Sequence, residues 1–217
     1  MYGVVVNVTD TGGASTVICP TLLVTVLDAK LTAVAVPPVT GIEGALLANL
    51  LVANFTDANP LAPASDFTAS IAWGDGSAPS VGLVSGAVGG PFSVHGQHVY
   101  AEEGFYLIVT TIRDEGGSVL ISAVLNATIA DATLVALPTP TVLTVEGVPL
   151  VNFLVAQFND SNLYATPSDF HALVTAWGDG TTVPVRATVV QRGPGAFDVL
   201  VSEHSIIGGG ECVLSSD

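Results

Sequence analysis

Positive charge is what this chain most lacks. Lys and Arg total 4 among 217 residues, against 19 Asp and Glu, so the formal net charge is −15 with the four His neutral. Binding to nucleic acid or anionic lipid rests on cations meeting phosphate, and this balance argues against both. Charge of either sign is scarce at 11%, less than half of the roughly 25% usual in globular proteins. The two Cys, Cys19 and Cys212, are too few to staple a small domain or to build a zinc site. No apolar run approaches the roughly 20 residues that cross a bilayer. The densest, Ala45 to Phe55, carries two Asn, so membrane insertion is not expected. No basic segment precedes Val4-Val5-Val6, which leaves a mature form, a fragment or a cytosolic chain. Abundant Thr, Ser, Gly and Ala with little Lys favour an extracellular or cell-surface protein.

What is present is apolar surface and repetition. At 49% hydrophobic, the chain has ample surface to bury, which excludes disorder. Gly41-Ile42-Glu43-Gly44 matches Thr144-Val145-Glu146-Gly147, an offset of 146 − 43 = 103. Phe55-Thr56-Asp57-Ala58-Asn59 matches Phe158-Asn159-Asp160-Ser161-Asn162 at the same offset, and Trp73-Gly74-Asp75-Gly76-Ser77 matches Trp177-Gly178-Asp179-Gly180-Thr181 at 104. Residues 2–13 match residues 106–117. The unit is therefore about 103 residues, and the chain holds roughly two, cut out of phase.

Each unit reads as strands. Phe67 to Trp73 alternates and ends on Asp75-Gly76, a hairpin signal. Phe92 to Val99, Tyr106 to Ile112 and Val119 to Ile129 are β-branched runs bounded by Gly or Asp, and no segment sustains helical periodicity with caps. Some seven strands in about 100 residues imply an antiparallel sandwich. Tyr106, two residues after Gly104 and entering a strand, has the form of a tyrosine corner, whose phenol bonds upstream backbone. Trp-Gly-Asp-Gly-Ser at 73–77, His98 to Tyr106 and Ile112 to Ser118 together resemble a PKD-type domain. The resemblance covers residues 29–131 well and 132–204 in part. It implies an all-β protein of tandem Ig-like sandwiches, of the kind strung along large prokaryotic surface proteins, with Trp73 and Trp177 in the cores.

The expected organisation is an N-terminal strand pair (1–28), a complete sandwich (29–131) and a second sandwich (132–217) lacking its last strands. Gly208-Gly209-Gly210-Glu211-Cys212 stands where Glu102-Glu103-Gly104-Phe105-Tyr106 forms the corner. Two missing strands would forfeit burial of about eight side chains at about 1.5–3 kcal/mol each. They would also open a sheet edge to pairing. Residues 1–28 fit that gap, so one expectation is a head-to-tail homopolymer in which they complete the sandwich of a neighbouring copy, a structural filament. The alternatives are a stretch of a longer stalk or adhesion array, with glycan as a candidate partner, and a closed monomer whose residues 1–28 fold onto its own second unit.

Candidate chemistry is sparse. No Gly-x-Ser-x-Gly elbow, His-Glu-x-x-His or Walker loop occurs, so no enzyme is expected and no catalytic or cofactor-binding residue is assigned. His95, His98, His171 and His204 are scattered, and His98 and His204 occupy equivalent repeat positions, which suits structural bonding to turns. Asp57, Asn59 and Asp66 recur as Asp160, Asn162 and Asp169. Hard oxygen ligands in a loop suit Ca²⁺, the one cofactor the sequence suggests. Cys19 and Cys212 are candidates for an intersubunit disulfide under the polymer reading. Asn7, Asn54, Asn126 and Asn159 head glycosylation sequons.

Overall fold

A computed structural model of the chain describes residues 2–3, 5–18, 23–122, 124–138, 141–145, 147–178, 180 and 183–205. The first strands are β1 (Tyr2–Gly3), β2 (Val6–Thr9), β3 (Ser15–Ile18) and β4 (Leu23–Val24). They form nested antiparallel ladders, β1 with β4 and β2 with β3. Asp10 closes the inner turn by accepting from the backbone N–H of Ala14 at 2.9 Å. In place of two long strands, this segment holds four short ones that pair among themselves. Val5, Val6, Val8 and Val17 stay exposed on it.

The first sandwich uses β5 (Leu31–Val34), β6 (Val39–Ile42), β7 (Leu46–Asp57), β8 (Phe67–Ala72), β9 (Ser80–Gly86), β10 (Phe92–Val99), β11 (Gly104–Asp114), β12 (Val119–Ile121) and β13 (Leu125–Ala130). They run in one curled sheet ordered β5-β7-β10-β9-β8-β11-β13-β6, with β12 beside β11. Alternation drives it: in β8 and β13 every second residue is buried, which places one face of each strand in the core. That core holds Phe55, Phe67, Ile71, Trp73, Phe92, Ile108 and Ile112. Phe55, Phe67 and Phe92 meet with ring centroids 4.7–5.2 Å apart.

The sequence predicts a single strand over Val119 to Ile129, but the structure divides it. Ser122 donates its N–H to the Thr110 carbonyl and accepts the Thr110 N–H at its Oγ, 2.8 and 3.0 Å. After this anchor, β13 pairs antiparallel with β11 and parallel with β6.

The second sandwich uses β14 (Leu134–Leu137), β15 (Pro149–Asp160), β16 (Ala172–Val174), β17 (Val185–Gly193) and β18 (Ala196–Ser205) in the order β14-β15-β18-β17-β16. This reproduces the β5-β7-β10-β9-β8 half of the first sheet. The repetition reaches the backbone: Asn49 and Asn152 both have φ near +50°, and single 3₁₀ turns lie at Ala64–Asp66 and Pro167–Asp169. Phe158, Phe170 and Phe197 repeat the Phe triad. Among the described residues β16 has no partner on its outer edge. The architecture is all-β, with Ig-like antiparallel sandwiches in tandem, as the PKD resemblance implies. No helix among the described residues is long and apolar enough to cross a membrane.

Candidate functional site

The tyrosine corner forms as expected. Tyr106 donates its hydroxyl to the Glu102 carbonyl at 2.9 Å and stacks on Tyr100 with centroids 4.4 Å apart. The corner fixes the Glu102-Glu103 segment at one end of the first sandwich. Glu43, in the turn between β6 and β7, reaches the same end. Its N–H donates to the Ala130 carbonyl at 3.0 Å, and its Oε1 accepts the Ala132 N–H at 3.3 Å.

These bonds bring in the connection to the second sandwich. Ser161 accepts the Thr133 N–H at its Oγ, 2.9 Å, and donates its backbone N–H to the Thr133 carbonyl at 3.2 Å. Asn162, 1% exposed, donates Nδ2 to the Ala101 carbonyl at 2.7 Å while its Oδ1 accepts the Tyr164 N–H at 2.9 Å. Gly44 lies against it at φ +69°, where a Cβ would stand 2.5 Å from Asn162 Oδ1. Only glycine meets both conditions. The sandwiches therefore touch directly through side chain and backbone.

Between them lies a cavity of about 230 Å³ lined by Glu43, Glu102, Glu103, Asp131, Asp160 and Asp169, with Asn162. Among the described residues no Lys, Arg or His lines it. One oxygen from each of Glu43, Glu103 and Asp131 lies within 4.8 Å of the other two. Glu43 is 5% exposed, and its Oε2 has no hydrogen-bond partner. Burial pushes the Glu43 carboxyl above its ordinary value, against the lowering pull of the Ala132 N–H and the nearby Asn162 side chain. Burial raises Glu102 as well, followed by the negative charges of Asp169, Glu43, Glu103 and Asp160.

The residues predicted as calcium ligands separate into two places. Asp160, Asn162 and Asp169 all line the junction cavity. Within it Asp160 Oδ1 accepts the Asn162 N–H at 2.7 Å, and Asp169 closes a capping box with Thr166. Asp57 and Asn59 form the equivalent Asx turns at the far pole of the first sandwich: Asp57 accepts from the Asn59 N–H and Asn59 from the Leu61 N–H, 2.9 and 3.0 Å. Asp66 sits near them, where its carbonyl accepts the Glu115 N–H at 2.9 Å. The charges of Asp28, Asp57 and Asp66 add to burial in raising the Asp114 carboxyl. Sequence reading missed Glu43, Glu103 and Asp131. The signal available was the recurrence of Asp28-Ala29 as Asp131-Ala132 at offset 103. Cys19 and Cys212 lie outside the described residues.

Two expected structural roles are visible. Trp73, 1% exposed, stacks on His98 with planes 4° apart, and His98 Nε2 bonds Asp75 in the hairpin turn at 2.7 Å. Trp177 stacks on His204 in the same way, though Trp177 is only partly buried.

No protein-family model matches the chain, and no curated protein does. Among solved structures it is similar to the PKD domain of an M14-like peptidase from a Thermoplasmatales archaeon, at 20% identity over 48% of this chain and 93% of that one, with a TM-score of 0.28. It is similar also to extracellular cadherin domains 1–4 of protocadherin gamma B7, at 11% identity over 95% of this chain and 57% of that one, TM-score 0.32. Domains 1–5 of protocadherin gamma B2 match at 8% identity over 95% and 45%, TM-score 0.29. The chain thus spans about half the length of these two cadherin structures.

Proposed function

We propose that this chain is a tandem stretch of an extracellular surface or adhesion protein, in which residues 29–131 and 132–217 are successive spacer units. One observation carries the reading: the units adjoin without a free linker. Ala130, Ala132 and Thr133 are each bonded to one sandwich or the other, and Asn162 bridges back to Ala101. Such a connection transmits orientation and load from unit to unit, whereas a Gly/Ser linker behaves as flexible coil. The low content of Lys and the absence of a catalytic constellation in the sequence support the same reading. Small-angle X-ray scattering of the full chain tests it. An elongated particle with one well-defined cross-section and length is expected. A scattering curve that only an ensemble of freely jointed units can fit overturns it.

A finer reading is head-to-tail assembly, in which residues 1–28 of one copy complete the C-terminal sandwich of the next along β16. The outer edge of β16, unpaired among the described residues, and the exposed Val5, Val6, Val8 and Val17 favour it. Size-exclusion chromatography with light scattering decides this reading: multiples of 21.9 kDa that grow with concentration support it, and a constant 21.9 kDa species removes it.

A further inference from the structure

The carboxylates at the junction are arranged at a cost that a bound ion would reverse. Glu43 is 5% exposed and leaves Oε2 without a hydrogen bond. A buried charge in that state is strongly unfavourable unless it is paired. The acid groups beside it repel it, and among the described residues no basic side chain lines the cavity. Glu43 is nevertheless held in place by its own N–H and by Oε1, and one of its carboxylate oxygens lies within 4.8 Å of an oxygen from each of Glu103 and Asp131.

We propose that this junction binds one Ca²⁺, with Glu43, Glu103 and Asp131 as direct carboxylate ligands and Asp160 supplying oxygen from the second sandwich. The proposal deepens the tandem-spacer reading and rests on it for its mechanical meaning, because one ion held from both sides locks two units together.

Size and chemistry select the ion. Ca²⁺–oxygen bonds run about 2.3–2.6 Å, so two ligands on opposite sides of one ion stand up to about 5 Å apart. The separations within 4.8 Å among Glu43, Glu103 and Asp131 fit a single central ion. The donor set is oxygen alone and rich in carboxylate, which suits a hard cation and neither zinc nor copper. Ca²⁺ accepts six to eight ligands in flexible geometry, while Mg²⁺ demands a tight octahedron and keeps its waters. A cavity of about 230 Å³ with acid groups on several walls matches the former.

The test is isothermal titration of the full chain with CaCl₂ after stripping with chelator. Saturable binding at one site is expected, weakened about tenfold or more in Glu43→Gln and in Asp131→Asn, with Mg²⁺ binding far more weakly. Asp57→Asn, at the opposite pole, should bind as the parent does. Asp131 is exposed, so its variant removes a ligand without disturbing a core should Glu43→Gln fold poorly. Three outcomes overturn the proposal: no saturable heat up to about 10 mM Ca²⁺, undiminished affinity in both junction variants, or equal affinity for Mg²⁺. Loss of binding in Asp57→Asn alone would move the ion to the Asp57–Asn59–Asp66 loop and also overturns it. Scattering from the same samples keeps the two readings apart: a rod without calcium binding refutes the ion and leaves the spacer standing.

Discussion

At the scale of single residues, the hydroxyl of Tyr106 illustrates how a small contact serves two ends. It accounts for the bond to the Glu102 carbonyl and so holds the segment that carries Glu103. Tyr106→Phe keeps the ring on Tyr100 and removes the hydroxyl shared between the Glu102 and Glu103 carbonyls, so it should cost about 1 kcal/mol in urea unfolding. Asp75 sets the acid limit of its own turn. Burial alone would raise its carboxyl, but the hydroxyl and N–H of Ser77 and the imidazole of His98 outweigh burial and hold it below the ordinary aspartate range. A depressed folded-state carboxylate contributes stability in full above its unfolded value and loses it as pH falls through the folded value. The Asp75 contribution should therefore be complete above the ordinary aspartate range and fade as acidification carries the pH down through its lowered folded value. Asp75→Asn should flatten that part of a stability-against-pH curve. Both residues were legible in the sequence, since a Tyr after a turn Gly and an Asp-Gly hairpin carry their meaning locally. Glu43 was not. It stood out only as a mark of the repeat, and its burial depends on Ala132, which lies 89 residues away.

The elements tell the same story at longer range. Alternation located β8, and β-branched runs bounded by Gly or Asp located β10 and β11, all within a residue or two, because both are local properties of the chain. The run from Val119 to Ile129 misled, because its residues suit a strand throughout. What divides it is the pair of bonds between Ser122 and Thr110. The parallel pairing of β13 with β6 joins residues over 80 positions apart, and no window of sequence reports it. The junction is equally non-local, and Asn162 is its most committed member. Asn162→Ala deletes the bond to Ala101 and the acceptor for the Tyr164 N–H. It should destabilise the second sandwich by about 1–3 kcal/mol. Calorimetry should then resolve two transitions where the parent shows units melting closer together. A single unshifted transition would mean that Asn162 carries no coupling.

For the whole molecule, charge is the governing quantity. A formal −15 with 4 basic residues leaves self-repulsion largely uncompensated. Salt screens this within about 10 Å at 0.1 M. Raising NaCl from 0.02 to about 0.5 M should therefore increase the melting temperature of the chelator-treated chain. A fall or no change would show that repulsion is not what limits it. Composition foretold the sign of this effect but not its location, because acidic side chains scattered along the sequence gather at the poles only once the sandwiches form.

Gly44 has one more consequence. Its contact with Asn162 fixes the rotation of one unit against the next, since any turn about the long axis would separate the two or drive them into collision. In a longer run of such units, each joined through the same positions, that angle would add at every step. The run would wind as a screw of constant pitch, bringing the same lateral face back into view at even intervals along its length.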